Sequence, residues 1–124
     1  MVRILTYCDG GCKGNGTATV ESYGSYKIGI RDVLRLKFPV DVVSTNNEAE
    51  YNTLIAALEE LKQHNEAGYI LMDSALVVNQ TNGKWKVKEP RLMPLRDLAQ
   101  KLLKETNSHL VWIRRNEIEK ILGH

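Results

Sequence analysis

The period of the apolar positions changes at Thr45 and divides the chain into a strand-like first third and a mixed remainder. Residues 2–8 (VRILTYC) form a nearly continuous apolar run with β-branched and aromatic members. That pattern predicts a central strand covered on both faces, ended by the glycine-rich stretch from Gly10 to Gly16. The runs 22–30 (SYGSYKIGI) and 33–40 (VLRLKFPV) predict two strands of an antiparallel hairpin joined at Arg31-Asp32, with Pro39 closing an edge strand. From Thr45 onward, Tyr51, Leu54, Ile55, Leu58 and Leu61 recur at helical spacing, with Asn46 or Asn47 available as the cap. Residues 69–72 then predict a short buried strand, and Ser74 to Gln80 a short helix ended by Asn82-Gly83. Leu92 to Glu105 predicts an amphipathic helix with Pro94 in its first turn and Leu95, Leu98, Ala99, Leu102 and Leu103 facing inward. A strand from His109 to Ile113, in which Trp112 reads as a core residue, and a helix from about Asn116 to Leu122 complete the pattern.

The order β-β-β-α-β-α-α-β-α implies an α/β protein whose mixed sheet has parallel strands wherever helices intervene. In such sheets ligands gather outside the carboxyl ends of the strands. Asp9 and Asp73 each follow a buried run and fall at such ends. If the two strands are neighbours, the two carboxylates converge, which is the arrangement a hard divalent cation seeks. Glu48 and Glu50 both border the apolar stripe of the first long helix, and the helical wheel does not choose between them as a third ligand.

Composition adds bounds. The 124 residues suit one compact core, so a single domain over 1–124 is expected, and 43% hydrophobic with 26% charged residues matches an ordinary globular chain. No apolar run approaches the length a bilayer requires, and no small-residue cleavage site follows the first apolar stretch, so a cytoplasmic protein without a membrane partner is expected. Seventeen basic against fifteen acidic residues leave a net charge of +2, too little to imply a polyanionic partner without local clustering. Cys8 and Cys12 lack the second ligand pair of a zinc site and read as free thiols. His64, His109 and His124 have no metal-ligand spacing, and no Ser-His-Asp or Cys-His arrangement is present.

The segments TYCDGGCKGNG (6–16), STNNEAEYNTLIAAL (44–58), ILMDSALVVN (70–79) and GKWK (83–86) resemble, in order and spacing, the successive motifs of type 1 ribonuclease H. The compound of D-G-G, T-N-N-x-x-E and D-S over the first two thirds of the chain is far more specific than any one part. The resemblance implies a ribonuclease H-like fold, with a five-stranded mixed sheet and helices on both faces. It makes Asp9, Glu50 and Asp73 the metal-holding carboxylates and leaves Glu48 a solvated neighbour. It places Cys12, Asn15, Asn46 and Asn47 at the minor groove of an RNA–DNA hybrid, where 2′-hydroxyls distinguish the strands. Thr45 would hold a DNA phosphate, and Trp85 with Lys86, between Lys84 and Lys88, would pack on the DNA backbone. The implied reaction is hydrolysis of the RNA strand with two Mg2+ ions, or Mn2+, giving 5′-phosphate and 3′-hydroxyl ends. A monomer acting on the hybrid duplex is expected.

The C-terminal segment departs from the family, which supplies a fourth acid there in an A-D-x-L-A context. If Ile118 and Leu122 face the core, Asn116 takes that acid's place, as a ligand without charge or as an ordinary cap; Glu117 and Glu119 are reserves. Ala75 stands where many members carry glutamine. The weakened acid set gives the alternative reading of a non-catalytic hybrid-binding module with the same fold, and a related nuclease for another nucleic acid is a third.

Overall fold

The computed structural model describes residues 2–14, 21–39 and 41–123. Its elements are β1 (Arg3–Lys13), β2 (Glu21–Ile28), β3 (Leu34–Phe38), α1 (Asn46–Gln63), β4 (Ala67–Met72), α2 (Ala75–Thr81), a 3-10 turn (Pro90–Leu92), α3 (Met93–Glu105), β5 (His109–Trp112) and α4 (Arg115–Leu122). The five strands form one sheet in the order β3-β2-β1-β4-β5. β2 runs antiparallel to both β1 and β3, whereas β1, β4 and β5 are parallel. The expected mixed α/β sheet, with its hairpin and its parallel part, is therefore present.

The helical stripe of α1 explains the core. Tyr51, Leu54, Leu58 and Leu61 are fully buried against Cys8, Tyr26, Ile28, Ile70 and Met72 of the sheet, with Ala99 and Leu102 of α3 and Val77 and Val78 of α2 closing the cluster. Each such aliphatic side chain contributes about 1.5–3 kcal/mol by leaving water. α4 packs on β1, β2 and β4 and buries Ile118 and Leu122 outside that cluster.

Several sequence expectations are corrected. β1 does not stop at the glycines but runs on to Lys13, paired with β2 as far as Glu21. Glycine weakens a strand unless another backbone must approach closely, and here one does. A Cβ on Gly10 would lie 2.6 Å from the Ala49 carbonyl oxygen and 2.8 Å from the Glu50 nitrogen. The rest of that glycine-rich stretch, Asn15 and Gly16, lies outside the described residues. β1 is also not covered on both faces, since Leu5 is 46% exposed beside its register partner Tyr69. The hairpin connection is longer than Arg31-Asp32, spanning 29–33 with Gly29 in the left-handed region at φ 57°. Thr45, rather than Asn46 or Asn47, caps α1: its hydroxyl accepts from the Glu48 N–H at 3.2 Å. Leu98 and Trp112 stand at the surface instead of in the core.

The parallel register sets where the two aspartates stand. Tyr7 of β1 is level with Leu71 of β4, so Asp9, two residues further along β1, and Asp73, the first residue past β4, come together, with oxygens within 4.8 Å.

Gly10→Ala is expected to force β1 away from the α1 backbone and to lower unfolding free energy by about 1–3 kcal/mol, the usual range for overpacking. A urea midpoint equal to that of the unchanged protein would contradict this close approach.

Candidate active site

Three elements deliver one carboxylate each to the carboxyl end of the parallel strands. Asp9 comes from β1, Asp73 follows β4, and Glu50 lies in the second turn of α1, next to the backbone that Gly10 touches. One oxygen from each lies within 4.8 Å of the others. Asp9 is buried, Glu50 and Asp73 partly so by residue, and the Asp73 side chain is only 3% exposed.

The carboxylates are partly or wholly buried, and the electrostatics reflect that burial. Burial, and then the charge of Asp73, push the Asp9 carboxyl up to about 6 from an ordinary 3.8. Burial, Asp73 and Asp9 push Glu50 up to about 7 from 4.5, while a hydrogen bond from Ser74 and the charge of Arg115 act the other way. Asp73 Oδ2 is buried without a hydrogen-bond partner. Hard divalent cations are held by carboxylate oxygens, and this donor set, with a buried Asp73 oxygen that no hydrogen bond satisfies, fits such a cation. The Asp73 carbonyl is pinned separately, accepting from the Trp112 indole N–H at 3.1 Å.

Glu48 and Glu50 are separated by partners. Glu48 is not the solvated neighbour that the resemblance implies but is buried, with its carboxylate on the Arg91 guanidinium at 3.0 Å and on the Thr45 hydroxyl at 2.9 Å. Two residues apart on a helix means about 200° around its axis, so one glutamate reaches the aspartates and the other does not.

The other expected residues fall into two groups. At the end of β1, the Cys12 N–H donates to Asn46 Oδ1 at 2.6 Å, and the Cys12 thiol donates to the Ser44 carbonyl at 3.3 Å. This ties β1 to the head of α1, where Thr45 already serves as cap. Across the head of α1, Asn47, Trp85, Lys86 and Lys88 line a largely apolar groove of about 550 Å³ with Leu76 and Leu92. Val87 anchors the groove's outer loop, and half of the Trp85 surface remains open. Asn15 lies outside the described residues.

The C-terminal helix holds a residue that sequence reasoning missed. Arg115 approaches Asp73 Oδ2 with its Nε at 3.5 Å. Asn116 comes next, exposed in the first turn, and does not cap the helix, since Arg114 occupies that position. Glu117 faces Lys120 at 3.7 Å. Both cysteines are free, and burial pushes the Cys8 thiol far up, keeping it protonated. No helix among the described residues is long and apolar enough to cross a membrane.

Comparison with known proteins places these observations in a family. The RNase H family profile matches residues 2–124. A bifunctional protein of Mycobacterium tuberculosis is 39% identical over 105 residues, which covers 82% of this chain but 28% of that protein, so the chain spans under a third of that relative's length. The crystal structure of RNase H1 from the archaeon Halobacterium salinarum superposes with a TM-score of 0.83 at 28% identity, over 97% of this chain and 92% of that one. LC11-RNase H1, isolated from compost and solved in complex with an RNA/DNA hybrid, superposes with a TM-score of 0.81 at 28% identity, over 96% and 91%. With five strands in this order and three carboxylates at their ends, the chain belongs to the RNase H family.

Proposed function

We propose that this chain, as a single domain over 1–124, hydrolyses the RNA strand of RNA–DNA hybrids, leaving 5′-phosphate and 3′-hydroxyl ends. The observation that carries the reading is the carboxylate triad, with oxygens of Asp9, Glu50 and Asp73 within 4.8 Å and Asp73 Oδ2 lacking a hydrogen-bond partner. The hybrid seen with LC11-RNase H1 supports the choice of substrate.

Asp9, Glu50 and Asp73 would hold two Mg2+ ions, with Mn2+ able to substitute, and Asn116 would add an uncharged oxygen. Bound there, the ions supply Lewis-acid activation of water and neutralise charge on the phosphate and the leaving 3′ oxygen. The protein's own part is orientation. Gly10 and the β1–β4 register hold the carboxylates against their repulsion. The Cys12–Asn46 contact and Asn47 present polar groups to the minor groove, where 2′-hydroxyls mark RNA, and the family motif gives Asn15 the same role. The groove lined by Trp85 and Lys86 takes the DNA strand, ring against sugar and ammonium against phosphate, and Thr45 faces a phosphate from the head of α1. The two free thiols suit a reducing compartment, so the cytoplasm is the proposed location, and a monomer the proposed state.

Cleavage of a labelled hybrid in Mg2+ or Mn2+, set against single-stranded RNA, tests the reading. Asp73→Asn and Glu50→Gln are expected to lower turnover at least about 10³-fold, while Glu48→Gln keeps cleavage and loses about 1 kcal/mol of stability from the α1 terminus. The reverse result for the two glutamates would remove Glu50 from the site. Tight hybrid binding with no metal-dependent cutting would mark a binding module instead.

The raised carboxyls also set opposite pH trends. Because the folded protein holds these protons more tightly than the unfolded chain, the stabilisation is complete below about pH 4 and is lost as pH rises through about 6 to 7. In EDTA the melting temperature is therefore expected to fall across that window, and less steeply for Asp73→Asn, which removes a repelling charge. Mn2+ affinity is expected to rise over the same window, because the ion must displace those protons. Parallel trends in the two titrations would contradict the assignment.

A further inference from the structure

Where the carboxylates of β1, α1 and β4 meet, α4 contributes a cation. Arg115 opens that helix, and its Nε stands 3.5 Å from Asp73 Oδ2, a buried oxygen with no hydrogen-bond partner. The contact is too long to be a strong charge-assisted hydrogen bond. The two partners differ sharply in exposure, with the Arg115 side chain 72% exposed and that of Asp73 3% exposed. The field of the guanidinium reaches beyond this pair, since oxygens of Asp9 and Glu50 lie within 4.8 Å of one on Asp73. One positive charge on a flexible, solvated stem thus acts on three fixed, poorly solvated negative ones.

An exposed arginine is held weakly by such a pairing and can swing into water at little cost. The carboxylates cannot leave, being fixed by strand register and by the α1 backbone. A divalent ion among them and a guanidinium at Asp73 Oδ2 repel each other, so the two cations are alternatives at that oxygen. We propose that Arg115 is the built-in counter-cation of the triad, competing with the divalent ion at Asp73 Oδ2 and displaced outward when the ion binds. The chain's ion affinity is then lower than its three carboxylates alone would give. The proposal rests on the metal-site reading of the triad and adds to it a residue that sets the concentration at which the site loads.

Calorimetric titration of the whole chain with Mn2+ alone, in the absence of nucleic acid, tests this without reference to turnover. Arg115→Ala and Arg115→Gln, the second retaining side-chain length without charge, are expected to bind Mn2+ about tenfold more tightly than the unchanged protein. Arg115→Lys, which keeps the charge, is expected to stay nearer the unchanged protein than either neutral variant. In EDTA at pH 8 the two neutral variants are expected to melt at lower temperature, because the triad has lost its counter-ion, and to regain the difference in saturating Mn2+. Unchanged or weaker Mn2+ binding in both neutral variants overturns the role of Arg115. If Asp73→Asn binds Mn2+ as well as the unchanged protein, the metal-site reading itself fails, and the competition at Asp73 falls with it.

Discussion

Three carboxylates with oxygens inside 4.8 Å repel one another, and the rest of the molecule is organised so that this repulsion cannot separate them. Side chains could not do this alone, because each could rotate away at a cost of a rotamer. Backbone contacts can. Asp9 and Asp73 come together because Tyr7 and Leu71 are register partners in a parallel pair, and a register is changed only by breaking the ladder. Glu50 is brought in by a different device: Gly10 has no side chain to hold β1 off the α1 backbone. The buried stripe of α1, from Tyr51 to Leu61, then keeps the helix on the sheet. Stability generated by apolar burial away from the site is thus spent on holding charge together at its edge.

The parts of the fold legible in the sequence are those governed by period and punctuation. The helical spacing after Thr45, the hairpin before it and the strand-helix alternation beyond it all appear as expected, because a buried face imposes its period on the residues that line it. The parts that the sequence hides depend on partners remote along the chain. Gly10 has the local character of a strand terminator, and nothing nearby reveals that α1 lies against it. Trp112 carries the signature of a core residue, yet it lies at the surface with its indole N–H on the Asp73 carbonyl. The wheel puts Glu48 at the border of the apolar stripe and the family motif makes it a solvated neighbour; neither shows its partner Arg91, which is 43 residues away.

The carboxylates of the candidate site are legible for a related reason. Position after a buried strand is a local property, so pattern alone points to Asp9 and Asp73, while the wheel leaves Glu48 and Glu50 level and only the family motif separates them. The structure brings Glu50 to the aspartates and ties Glu48 to Thr45 and Arg91, a difference of partners that two residues of helical rotation produce. Arg115 is invisible by the same logic. In sequence it is the second of two adjacent arginines before a polar helix, and only the pairing of β4 with β5 carries that segment to Asp73.

The placement of Arg115 also bears on how a site with three acids can be tolerated. A cluster left uncompensated at neutral pH must either retain protons or strain the fold, and Asp9 and Glu50 already lean toward the first course. An exposed cation at the rim offers a second means of compensation. It lowers the energy of the ionised cluster without filling it, since the Arg115 side chain remains mostly in water while that of Asp73 is almost wholly out of it. A fourth acid in the first turn of α4 would raise the charge to be neutralised and leave ions alone to do it; an arginine there lowers that charge and makes the ions compete. The charge carried by the first turn of α4 therefore governs the balance between an ionised triad that is stable by itself and one that binds cations tightly.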